Sequence, residues 1–194
     1  MALAEIMNTM VLNHPLKDLP DTAAPDFLAG IFSAEWGVDL HENLRDCMTP
    51  SDDLDFILDN AMRGLQAGNK GYFVSQVERS IPYWDAALDS CSDDADVQDA
   101  LDDLLAFWDS VTAAGDWEDT MNANYVTYGH TIDGYGVQMI DSWFKDLYFG
   151  AGQLFGLISA FLFMPIGFAE NMDKETAESL ALLNRQIVQH IYSH

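Results

Sequence analysis

The sequence predicts an all-α protein, a compact bundle of about seven helices. Three observations carry this. Apolar residues recur at three- and four-residue spacing in successive windows, and no window shows the strict alternation of a half-buried strand. The windows are separated by residues that start or end helices: Gly68, Gly115, and the twin triplets Ser51-Asp52-Asp53 and Ser92-Asp93-Asp94. Residues 147–169 carry no charge and are rich in Phe, Leu, Ile and Gly, as a helix enclosed by the others would be.

In chain order, residues 1–21 read as an irregular lead punctuated by Pro15 and Pro20, and 22–194 as a single helical domain. Thr22 is placed to cap a short helix with Pro25 in its first turn, and Phe27, Leu28, Ile31 and Phe32 form its apolar stripe. A short amphipathic piece covers 38–47. Residues 51–67 form a helix because the Ser51 hydroxyl can accept from first-turn N–H groups while Asp52 and Asp53 suit the helix dipole. Leu54, Ile57, Leu58, Ala61, Met62 and Leu65 are its buried face, and Gly68 ends it.

The next helix, 70–90, is expected to bury Tyr72, Phe73, Val77, Ile81, Trp84 and Leu88 and to kink at Pro82. Residues 92–114 repeat the capped design, with Val97, Leu101, Leu104, Leu105, Trp108 and Val111 inward and Gly115 closing. Residues 117–144 are helical, although glycines and β-branched residues weaken the continuity. A central apolar, Gly-rich helix follows at about 147–163, broken by Pro165 and Gly167. The last helix, 173–192, presents Leu180, Leu183, Ile187 and Ile191. The five tryptophans, Trp36, Trp84, Trp108, Trp117 and Trp143, are read as core.

The uncharged segment admits three readings. It is a buried central helix, a membrane span over 147–169, or an oligomer contact. Its 23 residues would cross the roughly 30 Å of a bilayer core at about 1.5 Å per residue. Pro165 shortens the regular portion, and Lys145 and Lys174 are thin basic flanks. Gly152, Gly156 and Ala160 recur every fourth residue, a row that lets another helix approach closely and marks a helix-packing or interface surface.

Charge excludes several function classes. There are 32 acidic and 8 basic residues, a net of −24. Nucleic acid and anionic lipid surfaces both call for clustered Lys and Arg, which the chain lacks. Between Arg79 and Lys145 there are fourteen acids and no base. This reads as a solvated acidic coat with weak binding of divalent cations. The run 93–99 lacks the Gly and Glu of a calcium loop, and no Glu-x-x-His pair is present. His190 and His194 alone share a helix face. No Gly-x-Ser-x-Gly elbow, Walker loop or dinucleotide motif occurs, and Asp102-Asp103 reads as an exposed helix face.

No catalytic, cofactor-binding or metal residue is therefore assigned, and no cofactor is expected. The expected role is a non-catalytic structural or interaction subunit of a larger assembly, with a protein partner or self-association. One alternative is an accessory subunit of a membrane complex with 147–169 as its span. Another is a carrier of an apolar ligand, opening between 51–67, 118–144 and 147–163. The two cysteines, Cys47 and Cys91, each precede a Ser-Asp-Asp triplet, so a bridge between two helix junctions stands against two thiols in a reducing compartment. Residues 1–12 have neither a basic start nor a long apolar run, and are read as lacking a signal peptide, as in a mature chain.

Asn124, Gly129, Ile132, Tyr148-Phe149, Gly152 and Gly156 form a spaced motif. Phe27-Leu28-Ala29-Gly30, Leu44-x-x-Cys47 and Leu88-x-x-Cys91 lie upstream of it. Together they resemble a group of small helical, often secreted proteins of algae and other unicellular eukaryotes with no established activity. The resemblance covers about two-thirds of the chain. It implies a helical fold, a Cys47–Cys91 disulfide and an extracellular or secretory location, and it implies no functional residue. The apolar 154–163 stretch and the missing signal sequence depart from that pattern.

Overall fold

The structure, a computed structural model, describes residues 19–113 and 115–163. The expectations for the lead before residue 19 and for the helix at 173–192 lie outside the described residues, as do His190 and His194. Among the described residues there are seven α-helices and no strand. They are α1 (Ala23–Trp36), α2 (His41–Cys47), α3 (Asp52–Gln66), α4 (Lys70–Leu88), α5 (Ala95–Ala113), α6 (Trp117–Phe144) and α7 (Tyr148–Phe163). A 3₁₀ turn, Asp89–Cys91, joins α4 to the approach to α5.

The core is built on α7, which packs against α1 on one face and α6 on another. On the α1 side, small residues replace side chains with backbone contact. A Cβ on Gly152 would fall inside the Phe27 carbonyl oxygen and 3.1 Å from the Gly30 Cα; one on Gly156 would lie 3.0 Å from the Ala34 Cβ. The Gly152–Gly156 row thus packs within the bundle, onto Gly30 and Ala34 of α1, while Ala160 farther along is half-buried. Above this crossing Phe27 meets the fully buried Trp143 edge-on at 5.6 Å, and Trp143 meets Tyr148 at 5.0 Å.

Three ties hold the elements in register. The Asp59 carboxylate, 1% exposed, accepts from Arg63 Nε at 2.6 Å and from Trp143 Nε1 at 3.2 Å, joining α3 to α6. Asp26 accepts from Arg45 Nε at 2.6 Å and Nη2 at 2.8 Å, and pairs with His41 Nε2 at 2.8 Å, joining α1 to α2. The third is covalent. Cys47 at the end of α2 and Cys91 in the 3₁₀ turn form a disulfide, so the bridge rather than the free thiols is realised. Thr49 N donates to the Ala87 carbonyl at 3.0 Å beside it, and Asn43 Nδ2 donates to Asp94 at 3.0 Å.

Several local expectations are corrected. Ser51 caps α3 as expected, accepting from Leu54 N at 3.3 Å. Its twin does not. Ser92 lies in the turn tethered by the disulfide, and Asp94 caps α5 instead, accepting from Asp96 N at 3.1 Å and Val97 N at 3.2 Å. Thr22 precedes α1 in a helical conformation with no side-chain cap bond. On α4 the buried residues are Gln76, Ser80 and Ala87, while Ile81 is 64% exposed. Phe73, Trp84 and Leu88 of the expected face are half-buried and pack against the core at the edge of this strip, so Ile81 is the residue that departs from the expectation. Pro82 lies on the exposed side, and α4 continues through it.

On α5 the first half is covered, but Leu105 is 62% and Trp108 37% exposed. Trp143 alone among the tryptophans is fully buried. The helix α6 runs unbroken for 28 residues despite its glycines. Its turn into α7 uses Asp146 at φ 64°, a left-handed conformation that Asp tolerates better than most residues, and the Asp146 carboxylate accepts from Tyr148 Oη at 2.7 Å.

Candidate functional site

The site forms between α4 and α6, which are joined through Lys70 in the first turn of α4. The α4 helix packs along α3, and α6 packs along α7 and α3. The tight turn at Gly68, with φ +74°, brings the start of α4 back beside the middle of α6. Asn69 caps that start by accepting from Tyr72 N at 3.0 Å, which puts Lys70 in the first turn. Between the two helices lies a cavity of about 540 Å³ that is partly open to solvent. That size falls within the roughly 300–1,000 Å³ of small-molecule sites.

Its walls are apolar. Phe73 comes from α4, Ile132 and Met139 from α6, and Phe155, Ile158 and Leu162 from the face of α7 that does not carry the glycine row. Gly136 lines it as well, and a Cβ placed there would meet nothing within 4 Å. Glycine at this helical position therefore serves no close approach and leaves room. Val74 and Val137, 52% and 67% exposed, stand on its two sides.

The mouth is polar. Tyr125 and Asp133 stand eight residues apart on one face of α6, and Lys70 reaches them from α4. Lys70 Nζ donates to Tyr125 Oη at 2.6 Å and to Asp133 Oδ1 at 3.0 Å, and Tyr125 Oη donates to Asp133 Oδ1 at 3.0 Å. Lys70 Nζ also sits 4.7 Å from the centre of the Tyr125 ring. The bonds to Tyr125 and Asp133 hold the Lys70 ammonium above its ordinary range, and the bond from Lys70 holds Asp133 below the usual carboxylate range. The two side chains are 60% and 56% exposed, so the pair adds only about 0–1 kcal/mol to stability. Its importance is chemical: it offers a donor and an acceptor at the edge of an apolar space.

Among the described residues no hydroxyl side chain hydrogen-bonds to the Asp26–His41–Arg45 cluster, and both cysteines are in the disulfide. Asp102 and Asp103 are exposed. No group of three His, Cys, Asp or Glu is placed to hold a metal among the described residues. Likewise, none of the described helices is long and apolar enough to cross a membrane. The regular helix within 147–169 has 16 described residues and is covered by α1 and α6.

The Gly152 row and the cysteine pair are visible in the sequence; the first lies against α1 and the second closes a disulfide. Lys70, Tyr125 and Asp133 were not singled out, because they are ordinary polar residues distant in sequence. Signals that could have found the site were the Tyr125/Asp133 spacing and the unexplained glycines inside α6. Comparison with protein-family models, with curated proteins and with solved structures finds no match.

Proposed function

We propose that the chain is a non-catalytic binding protein whose α4–α6 cavity takes an apolar ligand, and that it works in an oxidising, extracellular or secretory compartment. The cavity carries the reading. An apolar space of about 540 Å³ is unfavourable to leave hydrated and is filled at a gain of roughly 25 cal/mol per Å² of apolar surface removed from water. The disulfide supports the compartment, since such bonds persist where thiols are not kept reduced. The acidic coat keeps the carrier soluble and apart from nucleic acid and anionic membranes.

The test is binding of Nile red, an uncharged solvatochromic dye, followed by its fluorescence. A Cβ at Gly136 would meet nothing within 4 Å, so Gly136→Leu extends a side chain from the cavity wall without strain at its base. It should abolish the blue-shifted emission while leaving the unfolding midpoint unchanged or raised. Equal emission from parent and variant would refute the reading.

A second reading, an interaction subunit, is favoured by the exposed Leu105 and Trp108 on the outer half of α5. Sedimentation velocity with and without millimolar calcium separates the two. Self-association abolished by Leu105→Glu would support an interface there, and a monomer in both conditions would remove self-assembly.

A further inference from the structure

The polar groups at the cavity mouth narrow the class of ligand. Lys70 and Asp133 cancel in charge, and Tyr125 bridges them. An ammonium has three donors; Lys70 spends one on Tyr125 and one on Asp133. The Asp133 carboxylate likewise keeps acceptor capacity.

We propose that the cavity takes an uncharged, hydroxyl-bearing amphiphile, its chain among Phe73, Phe155 and Ile158 and its hydroxyl between Lys70 and Asp133. This rests on the apolar-ligand reading above. A hydroxyl can accept from Lys70 and donate to Asp133 at once, so it enters the mouth without breaking the ion pair. A carboxylate head could take only the third Lys70 donor, which would bring a second anion against Asp133 on a chain of net charge −24 that itself repels it. A cationic head is drawn by the coat, but the seat it would use, the face of Tyr125, is already held by Lys70 at 4.7 Å.

The experiment uses one chain with three heads. Oleyl alcohol, oleate and oleylamine, each below its aggregation limit, compete with Nile red on the full chain at pH 7.5. The alcohol should displace the dye at a concentration about tenfold lower than either charged analogue, the discrimination that one to two hydrogen bonds supply. Lys70→Met should erase that preference when each displacement is referred to the variant's own Nile red affinity. Lys70 is 60% exposed, and the variant's unfolding midpoint, expected to match the parent's, checks that the fold is retained.

Tightest displacement by oleate or oleylamine would overturn the proposal while leaving the cavity reading intact. So would a preference for the alcohol that survives Lys70→Met. Absence of Nile red binding, or binding undiminished in Gly136→Leu, would overturn the cavity reading itself.

Discussion

Gly152→Ala tests the central packing idea with a single methyl group. The new Cβ would fall inside the Phe27 carbonyl oxygen, 2.8 Å from the Phe27 carbonyl carbon and 3.1 Å from the Gly30 Cα. All three are backbone atoms, so no rotamer change relieves the clash. Carbon contacts settle at roughly 3.5–4.0 Å, so α1 and α7 must part by about 1 Å. Overpacking of this kind costs about 1–3 kcal/mol, with the upper end expected against backbone. Alanine returns up to about 1 kcal/mol of helix propensity, which leaves a net loss of about 2 kcal/mol.

The control is Gly134→Ala on α6, where a Cβ meets nothing within 4 Å. There the same substitution should stabilise by about 0.5–1 kcal/mol. Two chemically identical changes thus move the urea midpoint in opposite directions. With a urea slope of about 1–3 kcal/mol per molar, the Gly152 variant falls by about 1 M and the Gly134 variant rises by a fraction of that. A Gly152→Ala protein that unfolds at or above the parent midpoint would refute the close crossing of α1 and α7.

Four further outcomes follow from the same structure. Reducing Cys47–Cys91, which closes a separation of 44 residues, should cost about 4 kcal/mol by the chain-entropy relation; urea curves with and without a phosphine reductant measure it, and coincident curves would show that the bridge does not constrain the unfolded chain. Arg63→Met leaves the Asp59 charge buried with only Trp143 as partner and should cost about 3–5 kcal/mol, so a loss under 1 kcal/mol would place Asp59 in contact with water. Burial raises Glu35 from 4.5 to about 7; because the folded state holds the proton more tightly, this contribution is fully present below pH 4.5 and is lost as pH rises through about 7. Glu35→Gln should therefore be more stable than the parent at pH 8 by no more than about 3 kcal/mol and similar to it at pH 4, and a difference independent of pH would exclude the titration. Finally, amide exchange should be faster in the first turns of α4, around Lys70 to Val74, than near Ala87 beside the disulfide; uniform protection along α4 would contradict a helix anchored at one end.

The parts of the fold legible in the sequence are those decided within one or two turns of chain. Ser51 caps α3 because a hydroxyl three residues before an amide is enough. The Gly152–Gly156 row announces a close crossing wherever it occurs, although Gly30 and Ala34 as its partners required the structure. Ser92 misled because a distant constraint, the bond to Cys47, draws the preceding residues into a 3₁₀ turn and moves the cap to Asp94. Ile81 and Leu105 misled for another reason. Periodicity shows that a helix has an apolar side, but among the described residues α4 and α5 each leave a broad face exposed, and the covered strip of α4 contains Gln76 and Ser80. The cavity was least legible, since Phe73, Met139 and Phe155 look like any core residues. What separates a filled interior from a hollow one is whether the facing helix arrives, and that is tertiary information.

The position of the cavity follows from how α7 divides its surface. The glycine face is consumed by α1, where backbone approaches backbone and nothing can enter. The opposite face carries Phe155, Ile158 and Leu162 and depends on α6 and α4 for cover. The α6 helix supplies its share, but α4 is held elsewhere: it packs on α3, and its far end runs into the turn pinned by Cys91. Its near end is joined to α6 through the Lys70–Tyr125–Asp133 contact, which is exposed and stabilises by about 1 kcal/mol at most. That contact is a weaker tie than the α1–α7 crossing, the buried Asp59 network or the disulfide.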